Sequence, residues 1–326
     1  MSGQSLPVRG MPSPISPSRA GVSSRGIRIA AWVSFICEAA IIGTGGAVRL
    51  TGSGLGCPTW PTCTADSLIP TAELSVHSLI EFGNRMMTGV VGIAALVLLL
   101  LLWRLRTERR DLFTLAAIVI GGVVAQALVG GVTVWTGLNP FIVGFHYVAS
   151  LVLVCVMAAF LVRMYQAPGP RILAVPGWFA GLTHATSAVV AITIAVGVMT
   201  TASGPHSGDV TAGRTGFDVG LLEHLHAWPA YLTFVLSIAL LIASLKIGTA
   251  ATGWIAALLA VELVQIVLGL YQARNGLPEL AVGAHMVLAA LLAAAMTVVI
   301  LRLKAPAPTR ADSPAELPIS ASATRD

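Results

Sequence analysis

Eight long apolar segments decide what this chain can fold into. A helix needs about 20 mostly apolar residues to cross a bilayer. Eight stretches meet that length, at residues 28–48, 78–103, 112–135, 140–165, 174–201, 219–245, 251–273 and 279–303. Only 10% of the residues are charged, whereas a soluble domain has about 25%. The sequence therefore predicts an all-α membrane protein with eight transmembrane helices, surrounded by a lipid bilayer and without a nucleic-acid partner.

The basic residues are distributed unevenly between the two sides of the predicted membrane. Of the 19 Lys and Arg residues, four lie on one side and 15 on the other; the four are Arg49, Arg85, Arg214 and Arg274. Because the cytoplasmic side carries the excess of basic residues, both termini are expected in the cytoplasm of a plasma-membrane protein. Residues 1–27 and 304–326 are expected to be disordered cytoplasmic tails, and residues 166–173 a cytoplasmic linker.

The last four apolar segments repeat the first four. Matching residues occur in the same order in both: Glu81 and Asn84 with Glu223 and His226, Gln126 with Gln265, and His146 with His285. Repeats of four helices insert with the same orientation, so an axis near the membrane normal relates them. We expect two pseudo-symmetric four-helix bundles, formed by residues 28–165 and 174–303.

Two histidines lie at matched depth in the second half. His226 and His285 are seven and six residues inside their predicted helices, which places both roughly 10 Å below the outer surface. A lone intramembrane histidine is more often a packing residue, but two at one depth in a bundle can ligate a single heme iron. The matched depth and the repeat favour heme ligands. His224 lies on another face of the same helix, and we expect it to point elsewhere.

The first half has one histidine where the second has two. His146 occupies the position of His285, but Asn84 occupies that of His226. Asparagine is a poor iron ligand, so this half is predicted to have one strong ligand and one weaker or open side. Such a site suits a bound substrate better than a permanent electron carrier. His77, two turns before Asn84 on the same helix face, is an alternative polar or ligating group.

Glu81 is one helical turn from Asn84 and lies on the same face. A carboxylate beside a porphyrin could act as a general base or stabilise positive charge. Alternatively, Glu81 and Glu223 are structural partners of polar groups such as Arg85.

Four cysteines occur in two settings. Cys57 and Cys63 share the first predicted outer loop, where they could form a disulfide, remain structural thiols or act as a redox pair. Cys37 and Cys155 lie within predicted spans and are expected to be packing residues. The sequence has no CxxCH motif, so covalent heme attachment by that motif is excluded.

These residues resemble the heme A synthase family over about residues 28–303. The resemblance rests on residues 46–61 (GAVRLTGSGLGCPTWP), on Glu81 to Arg85, and on Gln126 to His146. In the second half it rests on residues 203–209, the His226 segment, and Gln265 to His285. Many members also have a cysteine pair in the first outer loop, as at Cys57 and Cys63.

The resemblance implies that the chain oxidises heme O, whose ring methyl is hydroxylated twice and dehydrates to the formyl group of heme A. It implies a resident heme b and partnership with heme O synthase and terminal-oxidase assembly proteins. The implied residues are His226 and His285 for heme b, Glu81 as the catalytic carboxylate, and His146, Asn84 and Arg85 around heme O. Family members usually have histidine at the position of Asn84. The alternatives are a b-type cytochrome with a quinone pocket in its first half, and a heme transporter.

Overall fold

The computed structural model describes residues 21–22, 24–71 and 75–307, and eight long helices dominate them. These are α1 (Arg25–Leu50), α2 (Val76–Leu102), α3 (Arg110–Trp135), α4 (Pro140–Met164), α5 (Gly177–Ser203), α6 (Val219–Ile247), α7 (Thr252–Arg274) and α8 (Glu279–Leu301). A short 3-10 turn, Trp103–Leu105, extends α2. Every one of the eight is long and apolar enough to cross a membrane. The predicted eight-helix membrane protein is confirmed.

The helices form two bundles with the same internal neighbours. In the first, α1 packs against α2 and α4, and α3 packs against the same two helices. The second repeats this arrangement with α5 and α7 against α6 and α8. The bundles meet along α4 and α8, with α1 also against α8 and α5 against α4. This exchange of equivalent helices is what a pseudo-two-fold axis between α4 and α8 produces.

Two equivalent turns hold one end of the bundles together. Gly137 and Leu138 follow α3 with φ of 60° and 59°, and Gly276 and Leu277 follow α7 with φ of 71° and 58°. The Leu138 N–H donates to the carbonyl five residues earlier at 2.8 Å, and the Leu277 N–H does the same at 2.9 Å. A positive φ is uncommon for leucine, yet both halves have it at the same place. The repeat therefore extends to backbone conformation.

The same end carries the two long loops, of which the structure describes residues 51–71, 75 and 204–218, and we call it the long-loop end. The Gly54 N–H donates to the Gly208 carbonyl at 2.7 Å, which joins one loop to the other. Leu138 packs so closely on Gly54 that a Cβ there would lie 2.7 Å from its side chain. His206 Nε2 donates to the Leu277 carbonyl at 3.0 Å. The loops and turns thus form a continuous cap over both bundles.

The opposite end of each bundle is tightly packed. The first half buries large side chains completely, namely Leu98, Leu102, Leu112 and Phe160. The second does the same with Phe179, Leu240, Ile255 and Leu303. Helices in a bilayer are held together mainly by such packing, so each bundle is closed at this end. The open interior lies nearer the cap.

A two-stranded antiparallel sheet corrects part of the prediction. The strands β1 (Arg171–Leu173) and β2 (Lys304–Pro306) pair with Ile172 opposite Ala305. Residues 171–173 were assigned to the linker and 304–306 to the disordered tail, because hydropathy carries no signal for backbone pairing. Residues 25–27, also assigned to a tail, begin α1. The remaining predicted tails, residues 1–20 and 308–326, lie outside the described residues.

Candidate cofactor and substrate cavity

A cavity of about 790 Å³ runs through both bundles. Each of the eight helices contributes to its wall, and the long loops border it at the capped end. The residues singled out from the sequence meet on this wall: Glu81, Asn84, Arg85, His146, His226 and His285. The fold therefore brings all six to one interior space.

In the second half, His226 on α6 faces His285 on α8. Their ring centroids are 6.2 Å apart. Two imidazoles that ligate one metal from opposite sides, with bonds of about 2 Å, have centroids about 6 Å apart. His226 Nδ1 lies 2.9 Å from the Thr193 carbonyl oxygen. A carbonyl only accepts, so Nδ1 carries the proton and Nε2 is left unprotonated and able to bind a metal.

Glycines on the neighbouring helices leave room for these rings. A Cβ at Gly197 would lie 2.7 Å from His226 Cε1, and one at Gly269 would lie 3.6 Å from His285 Cε1. Gln265 Nε2 donates to the His285 carbonyl at 3.1 Å. His285 Nδ1 is buried without a hydrogen-bond partner in the part of the chain that the structure describes. The paired rings, the cleared space and this unpartnered nitrogen fit a heme, which His226 and His285 would hold.

The first half repeats the histidine side of this arrangement. Gln126 Nε2 donates to the His146 carbonyl at 2.7 Å and to Ser150 Oγ at 2.5 Å. A Cβ at Gly130 would lie 3.6 Å from His146 Cε1, the same distance as at Gly269 and His285. His146 Nδ1 is also buried and has no partner among the described residues. His146 therefore has the same glutamine and glycine neighbours in the first half as His285 has in the second.

Asn84 replaces the second imidazole in the first half. Its Oδ1 accepts a hydrogen bond of 2.7 Å from Thr44 Oγ1 on α1. The amide oxygen is thus engaged by a neighbouring helix, and the residue carries no strong iron ligand. This side of the half-site is polar but weakly ligating.

Glu81 is buried, 5% exposed, and both of its oxygens are engaged. Oε2 accepts from the Cys57 N–H at 2.6 Å, and Oε1 accepts from Arg85 Nη2 at 2.5 Å. Arg85 also donates to the carbonyls of Cys57, Thr59 and Thr62 at 2.9–3.0 Å. Cys57 and Cys63 form a disulfide, which is one of the three states that the sequence allowed. Its loop is thus wrapped around the Glu81–Arg85 ion pair at the edge of the cavity.

Two other histidines considered from the sequence, His77 and His224, are both exposed. His77 is exposed, lies 2.9 Å from Ser53 Oγ through Nδ1, and is not part of the cavity wall. His224 was expected to point away from the site. It is exposed and does border the cavity, but the ring that faces His285 is that of His226.

Two buried glutamates on the cavity wall were missed by the sequence analysis. Glu38 on α1 is 2% exposed, and Glu262 on α7 is 4% exposed. Glu262 Oε1 accepts from Ser237 Oγ at 2.8 Å, whereas its Oε2 and Glu38 Oε1 have no partner within the described ranges. Acidic residues within apolar segments were a usable signal. Neither residue has an acidic counterpart in the other half, so comparing equivalent positions of the two halves did not identify them.

These features define a multi-pass membrane protein built from a duplicated four-helix bundle, with histidines converging on an interior cavity. A family model described as cytochrome oxidase assembly protein, COX15-CtaA, matches residues 28–205, more than half of the chain. The chain belongs to this family.

Several curated relatives are named heme A synthase. The one from Listeria welshimeri is 33% identical over 142 residues, which are 41% of this chain and 46% of the relative. The one from Lysinibacillus sphaericus is 41% identical over 109 residues, 33% and 35% of the two chains. The one from Bacillus cereus is 35% identical over 129 residues, 38% and 41% of the two chains. The aligned stretches cover less than half of each relative.

Proposed function

We propose that this protein is a heme A synthase that oxidises the ring methyl of heme O to a formyl group. The observation that carries the proposal is the contrast within one cavity. One half pairs two histidines 6.2 Å apart, and the other combines a single equivalent histidine with a buried carboxylate that is paired with an arginine. Family membership and the names of the relatives support it.

In this proposal the second half holds a resident heme b between His226 and His285. When bound, such a heme supplies one-electron transfer. The bond from His226 Nδ1 to Thr193 fixes the ring orientation, and the bond from Gln265 to the His285 backbone ties α7 to α8. The role of these residues is to hold a fixed cofactor.

The first half binds heme O as substrate, with His146 as the iron ligand and Asn84 on the weakly ligating side. Glu81 provides a fixed carboxylate, held between the Cys57 N–H and Arg85. Such a group can take the proton from one hydroxyl of the twice-hydroxylated methyl and pass it to the other hydroxyl, which leaves as water while the carbon becomes the formyl group. Arg85 positions this carboxylate and the disulfide loop.

The uneven distribution of Lys and Arg supports an orientation for the proposed enzyme. The long-loop end faces away from the cytoplasm, and it carries Arg49, Arg85, Arg214 and Arg274. Both termini face the cytoplasm. Heme O synthase and terminal-oxidase assembly proteins are the partners that this role requires, because one supplies the substrate and the others use the product.

The test is expression of the full chain in a host that makes heme O but has no activity of this kind. Extracted hemes are then identified by mass. Heme A or its hydroxylated intermediate is expected, together with heme B in the purified protein. Recovery of heme B alone, with heme O unchanged, would reject the synthase and support the b-type cytochrome. Purified protein that retains no heme would support the transporter.

A further inference from the structure

Arg49 lies in the last turn of α1, and its side chain borders the cavity near the long-loop end. Its Nη2 donates to the Thr201 carbonyl of α5 at 2.9 Å. Its Nε is buried and has no hydrogen-bond partner in the described part of the chain. The guanidinium is therefore held by one hydrogen bond between the two halves, and its Nε–H remains without an acceptor among the described residues.

Arg85 is the other arginine on the cavity wall, but it has an anionic partner and its terminal nitrogens are engaged. Glu81 balances its charge, and loop carbonyls accept from both of its terminal nitrogens. The ion pairs found among the described residues join Arg85 to Glu81 and Arg109 to Asp111. Neither includes Arg49. A cation inside a membrane protein is costly unless an anion accompanies it, so Arg49 lacks a counter-charge that a ligand could provide.

We propose that Arg49 binds a carboxylate of a porphyrin held in the cavity. The inference rests on the proposed function, because that function supplies the ligand. Hemes carry two propionate groups on one edge of an otherwise apolar ring. A planar guanidinium binds carboxylates through paired hydrogen bonds. The position of Arg49 near the cap lets the propionate edge face the polar end of the cavity while the rest of the ring lies deeper among apolar side chains.

The tether to Thr201 adds a consequence. Arg49 belongs to the first half and Thr201 to the second, so the carboxylate is bound at the boundary between the two half-sites. The repeat provides no second copy of this group, since the residue equivalent to Arg49 in α5 is Met199. Arg49 is thus a binding residue that the duplication does not predict.

The test compares hemin with hemin dimethyl ester, whose two carboxylates are capped. Each is titrated into the purified full-length protein, prepared from heme-depleted cells, and binding is followed by absorbance. A hydrogen bond to a charged group contributes about 1.5–3 kcal/mol. The wild-type protein should therefore bind hemin about 10- to 100-fold more tightly than the ester. Arg49→Gln should bind both alike, and Arg49→Lys should recover part of the preference.

Arg274→Gln is the matched control, because Arg274 is exposed at the same end and does not border the cavity. It should keep the wild-type preference for hemin. Binding of the ester shows that each variant is folded. Full preference for hemin in Arg49→Gln, or equal binding of both compounds by the wild type, would overturn the role of Arg49. Failure of the wild type to bind either compound would instead reject the proposed function.

Discussion

The two halves of the protein share one side of their sites and differ on the other. His146 and His285 each have a glutamine bonded to their backbone carbonyl, at 2.7 and 3.1 Å, and a glycine at which a Cβ would lie 3.6 Å from the ring. Across the cavity, the second half has His226, whereas the first has an asparagine bonded to Thr44. The duplicated scaffold therefore fixes one histidine position and allows the residue across the cavity to differ between the halves.

The halves also differ in what surrounds their equivalent glutamates. Glu81 is buried and paired with Arg85 beneath a disulfide-closed loop. Glu223, its counterpart, is exposed and has Ala227 four residues later, where the first half has Arg85. At this repeat position, a buried carboxylate paired with an arginine is thus present only in the half with a weakly ligating side. This difference supports a resident cofactor in one half and a reacting substrate in the other.

The largest effect is expected when either histidine of the paired-histidine half is replaced. His226→Ala or His285→Ala should remove most bound heme b, because even an outer-shell partner of a metal ligand contributes about 10- to 100-fold in affinity. The measurement is the pyridine hemochrome spectrum per mole of purified protein. His184→Ala is the control, since His184 is exposed on α5 and lies away from the cavity. Full heme retention in either cavity variant would exclude that histidine as a ligand.

The next effect concerns the carboxylate of the first half. Glu81→Gln should lower the conversion of heme O by about 10²- to 10⁴-fold, the usual contribution of a general acid or base. Heme b should remain bound. Glu223→Gln, the equivalent change in the other half, should leave conversion near the wild-type rate.

Because Glu81 also anchors the loop through the Cys57 N–H, the variant needs a check of loop integrity. Mass analysis after thiol alkylation reports whether Cys57 and Cys63 remain linked. Normal turnover in Glu81→Gln, with the disulfide intact, would remove Glu81 from the mechanism.

Much of this architecture could be predicted from sequence because the signals are local. Apolar length marks each span, and helix ends differ from prediction by a few residues, as at α5, which begins at Gly177 rather than 174. The common separation between Gln126 and His146 and between Gln265 and His285 revealed the repeat. The structure also brings these residues into equivalent contacts.

Features that depend on partners distant in sequence could not be predicted in the same way. Nothing in the sequence shows that Thr44 binds the Asn84 amide, or that Arg85 is occupied by the loop carbonyls. Which buried polar atoms lack partners is likewise a property of packing, so the unpartnered Nε of Arg49 could be found only in the structure. The pairing of β1 with β2 joins segments more than 130 residues apart.

Exchanging the residues that differ between the halves should give each half the iron coordination expected of the other. Asn84→His should add a second imidazole in the first half, which would make an iron porphyrin bound there six-coordinate and low-spin. His226→Asn should lower the heme content of the second half as His226→Ala does, and the heme that remains there should be five-coordinate and high-spin. Electron paramagnetic resonance of the ferric protein distinguishes these states. Thr44→Val is the control, because it removes the bond to Asn84 without adding a ligand. An unchanged spectrum in Asn84→His would mean that position 84 does not face the iron.

The smallest effect is expected from replacing two glycines, each of which lies beside the ring of one of the paired histidines. Gly197→Ala would place a Cβ 2.7 Å from His226 Cε1, so the ring must move, whereas Gly269→Ala would make an ordinary contact of 3.6 Å with His285. Both changes carry the same helix-propensity gain of about 1 kcal/mol, so their difference isolates the ring contact. Overpacking costs about 1–3 kcal/mol. Heme b should therefore dissociate about tenfold faster from Gly197→Ala, with little change in Gly269→Ala. Equal dissociation rates would show that the His226 ring is not confined by α5.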